Sequence, residues 1–208
     1  MEKKRFRPSE QLRPDVQQKR DAYAQAISEV DPSRLIFIDE SGCNLAMTPL
    51  YGRGPIGDRV VDHRPANWGK NLSVVGAVRI DRVLCHQTFE GAINGPRFVE
   101  FVGKRLCPRL FKGDVVVMDN LRAHHAPIVR ELIEATGAAL IFLPPYSPDL
   151  SPIEPCWSLI KFHLRRLKQR TMDALRAAIP RMFQRVRTDH LVGWYTHCGY
   201  PQRERSLV

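Results

Sequence analysis

Three short apolar runs stand out along the chain: LIFID at 35–39, VVVMD at 115–119 and AALIFLP at 138–144. Each is continuous rather than alternating, as expected of strands covered on both faces. Between the first two lie LSVVGAVRI at 72–80 and VLCHQTFE at 83–90, separated by the turn-prone Asp81-Arg82, and these predict an antiparallel hairpin. After Pro96, Phe98, Phe101, Val102, Leu106 and Leu110 recur at helical spacing, so a helix is expected to cross one face of the sheet. PIVRELIEATG at 127–137 opens on proline and closes on glycine, as helices do. A short helical pattern from Val16 to Val30 sits within a polar, basic first segment, residues 1–32, which reads as a connecting arm ahead of a main domain at 33–208. A hairpin followed by strand, helix, strand, helix predicts an α/β fold with a mixed sheet flanked by helices. The length of 208 residues and the 43% hydrophobic content suit one domain with a small appendage.

Two of these strands share a detail that carries chemistry, because LIFID and VVVMD both end in aspartate. If the strands are parallel neighbours, about 4.8 Å apart, Asp39 and Asp119 share one rim of the sheet. Two adjacent carboxylates repel and raise each other's pKa unless a cation lies between them. Hard divalent ions such as Mg²⁺ take oxygen ligands of this kind. A lone aspartate at a strand end would more simply cap the next turn. Glu40 follows Asp39 and is turned to the opposite face by the two-residue period of a strand.

A third carboxylate is aimed by an unusual lead. In PPYSPDLSPIEPCW, residues 144–157, prolines fix φ and bias their predecessors toward extended backbone, holding the chain out over a surface. Pro155 suits a first helical turn, and Trp157, Ile160, Leu164 and Leu167 follow at helical spacing, so Glu154 is expected at a helix N-terminus. Asp149, within the lead, is expected to make a local turn bond.

Charge adds a partner. Lys and Arg number 32 against 22 Asp and Glu, a formal net of +10. Between Pro155 and Thr188 there are nine basic residues and one acid, Asp173. Lys161, Arg165 and Lys168 are read as one helical stripe distinct from the apolar one, a face suited to phosphates or simply to water. The five cysteines are odd in number and form no CxxC pair, so they read as reduced thiols of a cytoplasmic protein, and no histidine pairs with them at zinc-ligand spacing. The N-terminus lacks the apolar core of a signal peptide, and no run of about 18 apolar residues could span a membrane. Gly52, Gly54 and Gly57 satisfy GxGxxG, but Pro55 interrupts it and no helix plainly follows; the stretch reads as a tight loop displaying Arg53 and Arg59.

Taken in order, IDESG at 38–42, VVMDNLRAHH at 116–125 and LPPYSPDLSPIEPCWSLIK at 143–161 resemble the catalytic domain of the IS630/Tc1/mariner transposases. The 34 residues between Asp119 and Glu154 match the spacing of that family's Asp-Asp-Glu triad. The resemblance implies a ribonuclease H-like fold and DNA cleavage followed by strand transfer, with Asp39, Asp119 and Glu154 as catalytic and metal-binding residues. Mg²⁺ is the implied cofactor, Mn²⁺ substituting, with two ions about 4 Å apart flanking the reacting phosphate. It also implies that DNA, as inverted-repeat ends and as target, is the partner, that a homodimer forms on it, and that the work takes place in a bacterial cytoplasm, at the nucleoid. The GRGPIGDR loop lies near the family's DNA-handling loops, making Arg53 and Arg59 phosphate contacts or, alternatively, part of a structural turn. His124 could touch substrate phosphate or bond only to local backbone, and Asn120 is expected just behind the ligands.

One expected part is missing, because the 30 or so residues ahead of LIFID are too few for the helix-turn-helix region that reads transposon ends in this family. The expectation is therefore a catalytic segment that depends on a separate or fused recognition segment. Two other readings stay open: a catalytically silent DNA-binding or assembly remnant, and a ribonuclease H-like nuclease acting on RNA or hybrids.

Overall fold

The computed structural model describes residues 8–67, 69–120 and 126–202. Among these, Leu35–Cys43 (β1), Leu72–Arg79 (β2), Arg82–Glu90 (β3), Val115–Met118 (β4) and Ala139–Phe142 (β5) form one sheet in the order β3-β2-β1-β4-β5. The first three run antiparallel, and β4 and β5 add in parallel on the far side of β1. β1 extends four residues beyond LIFID because its ladder with β2 continues to Cys43↔Leu72, whereas the parallel ladder with β4 stops at Ile38↔Met118. In the hairpin Arg79 pairs with Arg82, so the turn is Ile80-Asp81 and not Asp81-Arg82, and Ile80 is buried.

Alternation along the strands divides the core in two. Leu35, Phe37, Val115 and Val117 face one side, against Ile153–Leu167 (α4 below), Met172–Phe183 and Thr188–His197. Ile36, Ile38, Val116 and Met118 face the other, against Gly95–Phe101 and Pro127–Glu134. In chain order the helices are α1 (Pro14–Ser28), α2 (Gly95–Phe101), α3 (Pro127–Glu134), α4 (Ile153–Leu167), α5 (Met172–Phe183) and α6 (Thr188–His197). The mixed sheet with helices on both faces is the expected α/β architecture.

Four sequence expectations change. The helix carrying Phe98 to Leu110 is not uniform: α2 gives way to a π-helical turn at Val102–Leu106 and a 3-10 turn at Cys107–Arg109. At about 100° per residue Leu106 and Leu110 would drift away from Phe98, and the wider turn returns all of them to the core. β5 is not a fully buried strand, because it forms the sheet edge; Leu140 is buried, Ala139 is exposed, and Ile141 and Phe142 are half-buried. The first segment, read as a connecting arm ahead of the main domain, packs against that domain where it is described. Val16, Tyr23 and Ile27 of α1 are buried, the last two in the same core as α4 to α6. Finally, α5 and α6, which the sequence showed only as a basic stretch, complete one layer.

Tyr195 of α6 ties that layer to the sheet. It is fully buried, packs edge-on to Phe37 with ring centroids 5.4 Å apart, and its one hydroxyl hydrogen is shared between Leu35 O at 3.1 Å and Val78 O at 3.0 Å. Tyr195→Phe keeps the ring and removes the donor, so it is expected to lower unfolding free energy by about 1–2 kcal/mol in urea titrations without changing the m-value.

Candidate active site

Parallel pairing of β1 and β4 puts the residues after Ile38 and Met118 on one rim of the sheet, and these are Asp39 and Asp119. Both line a cleft of about 540 Å³ whose remaining wall is built by Leu143 to Pro148, Ser151 and Glu154. Asn120 also lines the cleft and is exposed. Glu154 is the second residue of α4, in a first turn whose partial positive charge favours a carboxylate. Ile153, Cys156, Trp157, Ile160 and Leu164 anchor that helix in the core, so the carboxylate is carried on a fixed element. Leu167 does not belong to the stripe; it is 44% exposed, because the helix ends there and Lys168 turns left-handed at φ 48°.

The proline-rich lead is less extended than its composition suggests. Tyr146 takes φ 56°, Pro148–Leu150 forms a 3-10 turn, and Ser147 and Ser151 are buried. Asp149 makes long-range bonds instead of a local turn bond: its carboxylate receives both guanidinium nitrogens of Arg20 of α1, at 3.1 and 2.8 Å, and Gln11 Nε2 at 3.1 Å. Burial raises the Asp149 carboxyl, and the Arg20 hydrogen bond and charge more than offset that, leaving it below the usual carboxylate range.

Asp39 lies half-buried at the rim without a cation partner among the described residues. Its Oδ2 accepts the indole Nε1–H of Trp157 at 3.0 Å. Burial, then the charges of Glu154 and Asp119, push its carboxyl up to about 7, against a smaller lowering by the Glu40 backbone N–H. Glu154, at the solvent-facing edge, is raised by partial burial, lowered by Lys161 and raised by Asp119. The contrast is Asp114 at the other end of the sheet, fully buried but bonded by Arg79 Nη2 at 2.6 Å and by the Phe111 N–H at 2.7 Å. Glu40 follows Asp39 in the strand, where alternation turns it toward the α2 and α3 side.

The cleft fits a hard divalent cation in donor chemistry: three carboxylates, mutually repelling, two on adjacent strand ends. Among the described residues no three His, Cys, Asp or Glu side chains are already drawn close enough to share one ion, so side-chain adjustment would accompany binding. Trp157 is the site residue that sequence reading assigned only to packing, since nothing local links positions 118 residues apart.

The basic residues separate into two groups. Lys161 and Arg165 are half-buried and line a neighbouring depression with Arg64 and Gly42, close enough to the cleft for Lys161 to act on Glu154. Lys168 leaves the expected stripe, since it lies beyond the last turn of α4 and its Nζ bonds Asp62 at 2.7 Å. Arg170 donates to Leu45 O, Met47 O and Thr48 Oγ1, holding the loop after β1, and Arg176 pairs with Glu90 at 3.4 Å. Arg53 and Arg59 are exposed on that loop. His124 lies outside the described residues. All five cysteines are unpaired thiols. Among the described residues no helix is long and apolar enough to cross a membrane.

Comparison with known proteins gives this geometry a family. Residues 34–176 match the model of the DDE superfamily endonucleases. The matched span exceeds half of the chain, and the protein belongs to that family. Among solved structures, the Mos1 transposase paired-end complex with the left transposon end superposes with a TM-score of 0.72 at 16% identity, covering 98% of this chain and 64% of that one. The Mos1 strand transfer complex gives a TM-score of 0.73 at 16% identity, covering 95% and 62%. The Mos1 catalytic domain with Raltegravir and Mg gives 0.65 at 15% identity, covering 91% and 92%. The fold is thus the ribonuclease H-like fold of that catalytic domain, and the chain spans less than two thirds of the longer Mos1 chains it matches. No curated protein matches the sequence.

Two outcomes follow from the Asp39 environment. Because its folded-state carboxyl is raised to about 7 from 3.8, the folded protein holds a proton between those pH values that the unfolded chain has lost. Metal-free stability is therefore expected to fall as pH rises from about 4 to about 7, by at most about 1.4 kcal/mol per pH unit from this group, and Asp39→Asn is expected to flatten that slope in urea titrations. Gly76 stands opposite Asp39 in the ladder, and a Cβ there would lie 2.9 Å from Trp157 Cη2. Gly76→Ala is expected to displace the indole from Asp39, cost about 1–3 kcal/mol by the same assay and shift the tryptophan emission.

Proposed function

We propose that this DDE endonuclease is the catalytic part of a transposase of the IS630/Tc1/mariner type, cutting DNA at inverted-repeat ends and joining the freed ends to target DNA. The observation that carries the reading is the convergence of Asp39, Asp119 and Glu154 on one cleft, two from neighbouring parallel strands and one from a helix N-terminus.

In this reading the three carboxylates hold Mg²⁺ or Mn²⁺, two ions per site, which would supply an activated water or 3′-hydroxyl and stabilise the departing oxygen at phosphorus. Asp39 would hold a cation through a carboxylate oriented by the Trp157 N–H, and would be deprotonated in doing so. Glu154 would contribute from the edge of the cleft, carried on the first turn of α4. Lys161 and Arg165, in the depression alongside, would take the phosphates flanking the scissile bond, and Arg53 and Arg59 would meet more distant ones. Asn120 would orient substrate or ligands from the cleft wall. Lys168, bonded to Asp62, is a weaker candidate for phosphate than its neighbours. End recognition would come from a separate or fused helix-turn-helix segment, and paired ends would bring two copies together, in a bacterial cytoplasm.

The test is nicking of supercoiled plasmid with Mg²⁺, Mn²⁺ or EDTA. Wild type is expected to nick only with a divalent ion, and Asp119→Ala and Glu154→Ala to lose at least about a hundredfold in rate. Equal cleavage by the alanine variants would overturn the site assignment. Preference for RNA or hybrid duplex in a parallel panel would replace the transposase reading by a ribonuclease one, and absence of wild-type cleavage with retained DNA affinity would favour a silent remnant.

A further inference from the structure

The stretch that leads to Glu154 is held from a distant part of the chain. Arg20 Nη1 and Nη2 reach the two oxygens of Asp149 at 3.1 and 2.8 Å, and Nη1 also donates to Ser147 Oγ at 2.6 Å. Gln11 Nε2 donates to Tyr146 O at 2.6 Å as well as to Asp149. Tyr146 sits in left-handed backbone at φ 56°, a region that residues other than glycine enter at a cost, so its conformation needs outside support. Behind this clamp, Tyr23 and Tyr200 share a hydroxyl contact of 2.9 Å, and Tyr200 donates to Leu150 O at 2.8 Å. From there Ser151 N bonds Pro148 O and Glu154 N bonds Ser151 O, at 3.1 and 3.2 Å. A continuous relay of hydrogen bonds thus runs from α1 to the first turn of α4.

We infer that Arg20, supported by Gln11, is a positioning residue for Glu154, which makes α1 and the turn before it part of the active-site machinery. The inference rests on the proposed role of Glu154 as a metal ligand. The Arg20–Asp149 pair is suited to the task. It is bidentate, so it fixes direction as well as distance, and its side chains are only 21% and 31% exposed. Without it, Asp149 would keep only Gln11 among its long-range partners and the Ser147 hydroxyl only Pro145 O, and the 3-10 turn that feeds α4 would be free to shift. A purely packing role for α1 is already served by Val16, Tyr23 and Ile27, which do not contact this wall through charge.

The experiment combines amide hydrogen exchange with Mn²⁺ binding, read from the free-ion paramagnetic signal, in wild type, Arg20→Ala, Arg20→Lys and the exchanged pair Arg20→Asp/Asp149→Arg. Arg20→Ala is expected to speed exchange of the amides at 150–154 roughly tenfold while those of β1 and β4 stay as in wild type. It is also expected to weaken Mn²⁺ about tenfold, as loss of an outer support does. Arg20→Lys keeps the charge but not the fork and should fall between, and the exchanged pair should recover at least half of each effect. Wild-type exchange at 150–154 in Arg20→Ala, or an even acceleration across the whole sheet, would overturn the inference. A wild type that binds no Mn²⁺ would instead sink the phosphoryl-transfer reading, while the exchange data still decide whether Arg20 braces the wall.

Discussion

Parallel pairing of β1 with β4 is the constraint on which the rest of the molecule turns. Once Ile38 and Met118 are in register, the next residue of each strand must emerge at the same rim, and in this chain both are aspartate. A sheet held by buried Ile, Phe, Val and Met on both faces cannot slip by one residue without exposing that core. The two carboxylates are therefore brought together by hydrophobic burial, against their own repulsion. The electrostatic strain is local and visible, since Asp39 is the acid that burial and neighbouring carboxylates push up to about 7.

What surrounds that rim is arranged to tolerate the strain without relieving it. Asp114, at the opposite end of the sheet, receives an arginine and is a structural ion pair. Asp39 receives neutral N–H donors, from the Trp157 indole and the Glu40 backbone, which orient its oxygens without balancing a charge. The absence of a side chain at Gly76 lets the indole reach that position, because a Cβ would collide with it. Glu154 is handled differently, on the open side of the cleft, at the end of a helix and behind a clamped loop. Asp39 and Asp119 leave the ends of buried strands, whereas Glu154 is carried on the first turn of a helix at the edge of the cleft.

The positive charge is likewise divided by structure. Arg170, Lys168 and Arg176 are engaged in holding the loop after β1 and the end of β3, through carbonyls, Asp62 and Glu90. Arg20 is engaged at Asp149. Lys161 and Arg165 instead line the depression beside the cleft. A net charge of +10 therefore overstates the basic surface left open to solvent.

The strands, the aspartate at the end of two of them and the helix behind Glu154 were legible in the sequence, because buried runs, proline placement and apolar spacing are local and each obeys a backbone rule that does not depend on distant residues. The order of motifs also pointed to the DDE superfamily endonucleases, whose model matches residues 34–176. Tertiary structure alone decided that β5 lies at an edge, that α2 continues as a π turn, and that Asp149 binds Arg20 across 129 residues. It also decided that Trp157 bonds Asp39, that Lys168 belongs to Asp62, and that the first helix packs behind the wall of the cleft, with Arg20 bonded to Ser147. These are choices of partner, and a polar side chain has several it could satisfy; the sequence states which groups need hydrogen bonds or countercharges, and only the packed chain selects which of them meet.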